Sequence, residues 1–170
     1  MRLLNTLLAL TLACAGTVAW GQAAAPLLPI ASLDVQRYLG RWYEVAKFPN
    51  RFQRKCVADT SAEYRLQPDG QLQVLNRCRL QSGEFDQALG QARQPGSATS
   101  ARLKVRFAPE WLSFLPFVWG DYWVVDLDER YELAAVSEPG RDYLWILSRT
   151  PEVDAMPYAA LLSRLSAMGL

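Results

Sequence analysis

Gly40-Arg41-Trp42-Tyr43-Glu44-Val45-Ala46, led in by Tyr38-Leu39, opens a series of short runs rich in Val, Tyr, Trp, Leu and Phe, divided by Gly, Pro and Asp. Such runs are strand-like, because aromatic and branched side chains suit a pleated, half-buried surface. Trp42 to Phe48 reads as the first strand. Val57 to Leu66 and Gln71 to Cys78 flank Gln67-Pro68-Asp69-Gly70, a hairpin signal because Asp-Gly tolerates positive φ. Glu84 to Ala92 and Ala101 to Phe107 follow, separated by Gln94-Pro95-Gly96-Ser97. Tyr122 to Leu127 and Tyr131 to Val136 form a further hairpin around Asp128-Glu129, and Tyr143 to Ser148 makes an eighth strand. Beyond Thr150-Pro151, Val153 to Met168 has helical spacing, with Tyr158, Leu161, Leu162 and Leu165 on one face. An all-β fold with one C-terminal helix is expected. Eight consecutive antiparallel strands fit a closed up-and-down barrel with room for one small ligand. Strand spacing alone leaves a two-sheet sandwich open.

Composition narrows the function. The chain has 170 residues, 51% of them apolar, enough for the core of one domain. A formal charge of +1, with both signs scattered along the chain, gives no electrostatic case for nucleic acid. There is no histidine. That removes the usual general base of nucleophilic catalysis and the commonest zinc ligand, so no metal, cofactor or catalytic activity is expected.

The N-terminus reads as an export signal over residues 1–23. Arg2 precedes an uncharged apolar stretch, Leu3 to Ala19, with small residues around Ala23-Ala24-Ala25. A retained anchor is the alternative, but the stretch is short of the roughly 20 residues a span needs. Thr11-Leu12-Ala13-Cys14 makes Cys14 a candidate for lipid acylation, with a leader of residues 1–13, or else a small apolar residue within an ordinary leader. Residues 24–33, with Pro26 and Pro29, read as a tether, and residues 34–170 as the domain. An exported location, in the periplasm or at the outer membrane, follows. Cys56 and Cys78, on neighbouring strands of an exported chain, suggest one disulfide; two inert buried thiols are the alternative.

Tyr38 to Ala46 resembles the Gly-x-Trp-Tyr signature that opens the first strand of lipocalins. Asp142-Tyr143-Leu144-Trp145-Ile146-Leu147-Ser148-Arg149-Thr150-Pro151 resembles the last signature in the family's bacterial and plant-stress branches, and Gly120 to Val125 with Asp128 resembles the middle one. The three fall in the family's order, over about residues 34 to 169. The resemblance implies an eight-stranded barrel in which Trp42 lies across the closed end and Arg149 stacks on it, with Gly40 permitting close backbone approach. It also implies that Trp145 and Tyr122, with Val124, face a ligand cavity. Members usually continue past the helix into a short further strand, whereas this sequence stops at Gly169-Leu170, which bears on packing beside the first strand and on any dimer contact.

Alternation adds candidates. Leu103, Val105 and Phe107 share one strand face, and Tyr64 and Phe85 are further candidate lining residues. Any of them is equally readable as plain core. Arg51, Arg54 and Lys55 follow Phe48-Pro49-Asn50 in a loop expected to cap the mouth, where a phosphate or carboxylate head-group would find cations. Trp111-Leu112-Ser113-Phe114-Leu115-Pro116-Phe117-Val118-Trp119 is too short for a membrane span. It is a rim loop touching lipid, a homodimer contact or a buried cavity wall. The expected function is reversible binding of a fatty acid, lysophospholipid or other long apolar molecule. The competing readings are an enzyme using a cavity thiol at Cys56 or Cys78, and an envelope interaction module acting through Trp111 to Trp119.

Overall fold

The computed structural model describes residues 25–170; the leader, its cleavage site and Cys14 lie outside the described residues. Asp34 starts the first element by accepting the Gln36 and Arg37 amides on Oδ1, at 2.9 and 3.3 Å, which caps the short helix α1 (Val35–Tyr38). The strands are β1 (Gly40–Lys47), β2 (Cys56–Leu66), β3 (Leu72–Leu80), β4 (Phe85–Arg93), β5 (Arg102–Arg106), β6 (Gly120–Leu127), β7 (Leu133–Ser137) and β8 (Leu144–Ser148), and the chain ends in α2 (Ala155–Ala167). Each strand pairs antiparallel with the next, and β1 meets β8 through Tyr43 opposite Ser148 and Glu44 opposite Leu147. The barrel is therefore closed, and the sandwich alternative falls.

Local chemistry sets the turns. Gly70 adopts φ +81°, and the Asp69 carboxylate accepts the Gln71 amide at 2.9 Å. Asp128 accepts the amides of Glu132 and Leu133 at 2.6 and 2.7 Å, organising the β6–β7 turn, in which Tyr131 sits at φ +61°. Tyr131 thus belongs to the turn, and β7 starts at Leu133. β6 begins two residues earlier than expected, at Gly120. Outside the barrel, Leu161 and Leu165 of α2 bury against Leu144, Ile146 and Val125. The Arg164 guanidinium donates twice to Asp126, at 2.6 and 2.9 Å. Leu162 was expected on the packed face but is 42% exposed; the helix buries an i, i+4 stripe too narrow to include it.

The expected tether is corrected. Leu27 is buried with α2, Leu33 is wholly enclosed inside the barrel end, and the amides of Ile30 and Leu33 donate to the carbonyls of Val124 and Thr99. Apolar side chains at 27 and 33 gain more from burial than an extended linker would allow.

Candidate functional site

Antiparallel alternation puts one side chain in two inside the barrel. Trp42 opposite Ala62, Ala62 opposite Asn76, and Asn76 opposite Ala88 trace the inner face across four strands. Ala92 opposite Val105, Leu103 opposite Tyr122, Val124 opposite Val136, and Val136 opposite Trp145 complete the circuit.

The end holding α1 is sealed. Trp42, Tyr38 and Leu33 are at most 1% exposed. Trp42 Nε1 donates to the Tyr38 carbonyl at 2.8 Å, and the Arg149 guanidinium lies 3.9 Å over the Trp42 ring. Arg149 also donates to the carbonyls of Tyr131, Arg41 and Arg37, at 3.1, 3.0 and 2.8 Å. One cation thereby pins α1, β1 and the β6–β7 turn together. Gly40, at φ +90°, brings the chain beneath it; a Cβ there would lie 3.5 Å from Arg149 Nη1 on a backbone few side chains tolerate.

The opposite end is open. Ala88 faces inward yet stays exposed, and Phe107 is 43% exposed although its ring lies over the inner face of Gly90. A Cβ at Gly90 would come within 2.6 Å of that ring and of the Arg106 carbonyl, so only glycine admits the phenyl group. Val105, Tyr122 and Trp145 also keep accessible surface, whereas Leu103, Val124 and Tyr64 face inward but are fully enclosed, as parts of the packed floor. Phe52, Tyr143 and Trp145 stack in a ladder up one side of the mouth, with centroids 5.6 and 5.7 Å apart.

Phe85 is corrected. Its register opposite Arg79 puts it on the outer face, where the guanidinium groups of Arg77 and Arg79 lie 3.7 and 4.5 Å from its ring centroid. On β4 the even positions face inward, and an aromatic side chain gave no clue to parity.

Polar groups inside the mouth escaped the sequence reading. Glu44 accepts from Lys47 and from the Gln53 amide, and Gln53 Oε1 in turn accepts from Trp145 Nε1 at 3.0 Å and Asn50 Nδ2 at 2.7 Å. Counting from Trp42 would have found Glu44. It would have put Lys47 outside, but a bulge between Glu44 and Ala46 turns Lys47 inward. Of the expected cations, Arg51 lies 5.0 Å over Phe52, Arg54 is exposed, and Lys55 pairs with Asp86 at 2.7 Å. Beyond Tyr43 the β1–β2 ladder parts, leaving a slot of about 230 Å³ between Glu44–Lys47 and Cys56–Thr60. A larger groove, about 630 Å³, lies at the sealed end between the β2–β3 turn, the end of β4 and residues 110–119.

Cys56 and Cys78 form a disulfide, tying β2 to β3 near the mouth. No free thiol remains among the described residues, so the cavity-thiol enzyme loses its nucleophile. The segment after Phe107 folds into two 3-10 turns, Glu110–Leu112 and Pro116–Val118. Trp119 anchors it against the outside of the barrel beneath Arg93, at 4.1 Å, while Trp111, Phe114 and Phe117 are 73%, 74% and 79% exposed. The segment is therefore not a buried wall of the cavity.

A small antiparallel barrel with one end stoppered and an aromatic-lined mouth at the other is the architecture of a protein that encloses small molecules. The chain belongs to the lipocalin family, whose members bind small hydrophobic ligands: residues 33–170 match the model of the lipocalin-like domain. It is 43% identical over 137 residues to temperature-induced lipocalin-1 of Arabidopsis thaliana, covering 79% of this chain and 73% of that protein. It is 44% identical over 125 residues to the outer membrane lipoprotein Blc of Escherichia coli K12, covering 73% of this chain and 66% of that one. Among solved structures, insecticyanin from the tobacco hornworm superposes with a TM-score of 0.64 at 16% identity, over 86% and 79% of the two chains, a likeness of fold.

Proposed function

We propose that the protein is an exported carrier that takes up a fatty acid or lysophospholipid, lays the acyl chain in the open half of the barrel and keeps the head-group at the mouth. The observation that carries this reading is the inward-facing yet accessible surface of Ala88, Val105, Phe107 and Trp145, an apolar wall that water reaches. Replacing that water with methylenes contributes about 0.8 kcal/mol each, roughly 10 kcal/mol for a long chain. Association and chain ordering offset much of it, leaving micromolar affinity or better. Arg51 and Arg54 at the rim suit an anionic head-group. The name of the Escherichia coli relative, an outer membrane lipoprotein, supports an envelope location.

Trp111, Phe114 and Phe117, exposed on a loop that leaves the mouth at Phe107, suit contact with a lipid surface from which such a ligand is drawn. Mass spectrometry of lipid extracted from protein purified from its native envelope tests the carrier reading: a single-chain lipid in near-equimolar amount is expected, and protein free of lipid contradicts it. The double substitution Phe114→Ser, Phe117→Ser is expected to abolish sedimentation with phospholipid vesicles and to spare ligand binding. Unchanged sedimentation would assign the loop to another surface.

A further inference from the structure

Three phenol hydroxyls meet in the barrel interior. Tyr122 Oη lies 2.9 Å from Tyr38 Oη and 2.7 Å from Tyr64 Oη. The sequence places the three far apart, on α1, β2 and β6, and only barrel closure brings them together. Each phenol carries one proton, and each oxygen–oxygen contact uses one. Three protons over two contacts leave one donor without a partner among the described residues, whichever way the three hydroxyls point. Tyr38 and Tyr64 are at most 3% exposed, and only Tyr122 keeps accessible surface. When both buried phenols donate to Tyr122, the spare proton is Tyr122's, on the one residue of the three that reaches the open half. A donor left there unpaired costs as much as a lost hydrogen bond, so an acceptor is wanted.

The surroundings select the acceptor. Leu103, Val74, Val105, Val124 and Val136 pack around the triad without charge. The guanidinium at the sealed end, Arg149, lies over Trp42 and is committed to three carbonyls. Among the described residues a carboxylate or phosphate at the triad would find only Arg149, whose donors are already spent on those carbonyls, and would be disfavoured. A neutral oxygen needs no cation. Burial also keeps the phenols protonated: Tyr64 is pushed up to about 12, and Tyr38 and Tyr122 well above their usual 10.

We propose that the Tyr38–Tyr122–Tyr64 hydroxyl chain is a receptor for a neutral oxygen, a hydroxyl or carbonyl, at the leading end of an apolar ligand. The inference rests on the carrier reading and refines it. Acids enter tail first and leave the head at the rim, whereas alcohols and ketones enter oxygen first.

The test compares dodecane, dodecan-1-ol and dodecanoate as displacers of N-phenyl-1-naphthylamine from the wild-type protein, Tyr122→Phe and Tyr64→Phe. Wild type is expected to bind the alcohol about tenfold more tightly than the alkane, the size of one net hydrogen bond. Tyr122→Phe should erase that preference, because the two donors it leaves, on Tyr38 and Tyr64, are enclosed in the packed floor, while alkane and dodecanoate stay within about twofold of wild type. Tyr64→Phe should keep the preference, because two phenols over one contact still leave one donor. Equal losses for alcohol and alkane in Tyr122→Phe, or a dodecanoate loss as large as the alcohol's, overturn the proposal and leave the carrier standing. Failure of the dye and all three displacers to bind removes the carrier reading itself. Should Tyr122→Phe not fold, wild type loaded with [1-13C]dodecan-1-ol decides: carbinol protons close to the Tyr122 ring support the receptor, and proximity to Lys47 instead overturns it.

Discussion

At the sealed end Trp42 is wholly enclosed and its indole carries a guanidinium already bonded to three carbonyls, whereas at the mouth Ala88 and Phe107 face the same interior and remain wet. The strands are shared, so the difference lies in side-chain size and in what crosses the bottom. Leu33, α1 and Trp42 fill one half; in the other the small side chain of Ala88 stays exposed, while Gly90 is covered by the Phe107 ring. Packing is thus concentrated at the sealed end, and the proposed binding lies where little packing would be lost.

Substitutions should separate the halves. Trp42→Ala removes the stopper and leaves Arg149 without its ring, so a loss of about 3 to 5 kcal/mol is expected in urea unfolding. A loss below 1 kcal/mol would mean that the sealed end does not hold the fold. Replacing both Cys56 and Cys78 with Ser opens a loop of sequence separation 22 and should cost about 3 kcal/mol, measured the same way.

Alkaline pH should also act on the packed half. Tyr64 has its pKa raised by burial from 10.0 to about 12. Below pH 10 folded and unfolded chains both keep the proton, and the contribution is whole. Between 10 and about 12 only the folded chain keeps it, so stability falls as pH rises, by about 2 to 3 kcal/mol for two units. The slope should flatten in Tyr64→Phe; an unchanged slope there would contradict burial of that hydroxyl. Smallest in stability is Ala88→Trp, expected to change it by less than about 1 kcal/mol because the indole enters unfilled space. The same change should cut ligand affinity tenfold or more by occupying the mouth. Intact binding would place the ligand elsewhere, with the groove beside residues 110–119 the next place to look.

How far the sequence could be read follows the same division. The sealed end was legible because it depends on a few residue types at fixed places: a glycine that must take positive φ, an indole, an arginine and the Asp128 turn. Strand order was legible from turn chemistry. The mouth was not, because its lining depends on parity and register. Phe85 is as aromatic as Phe107, yet one faces out beneath two arginines and the other covers Gly90. A bulge after Glu44 reverses the face of Lys47, and no local residue pattern announces it. The tyrosine chain was invisible for another reason: Tyr38, Tyr64 and Tyr122 become neighbours only once the barrel has closed.

The proposed carrier needs usable space above the Trp42 stopper. Titration of delipidated, folded protein with a fluorescent fatty acid, followed by displacement with unlabelled palmitate, measures it directly. One saturable site of micromolar affinity or tighter, lost in Ala88→Trp and kept when Phe114 and Phe117 are both serine, is the predicted result. A folded protein that shows no saturable binding would contradict it.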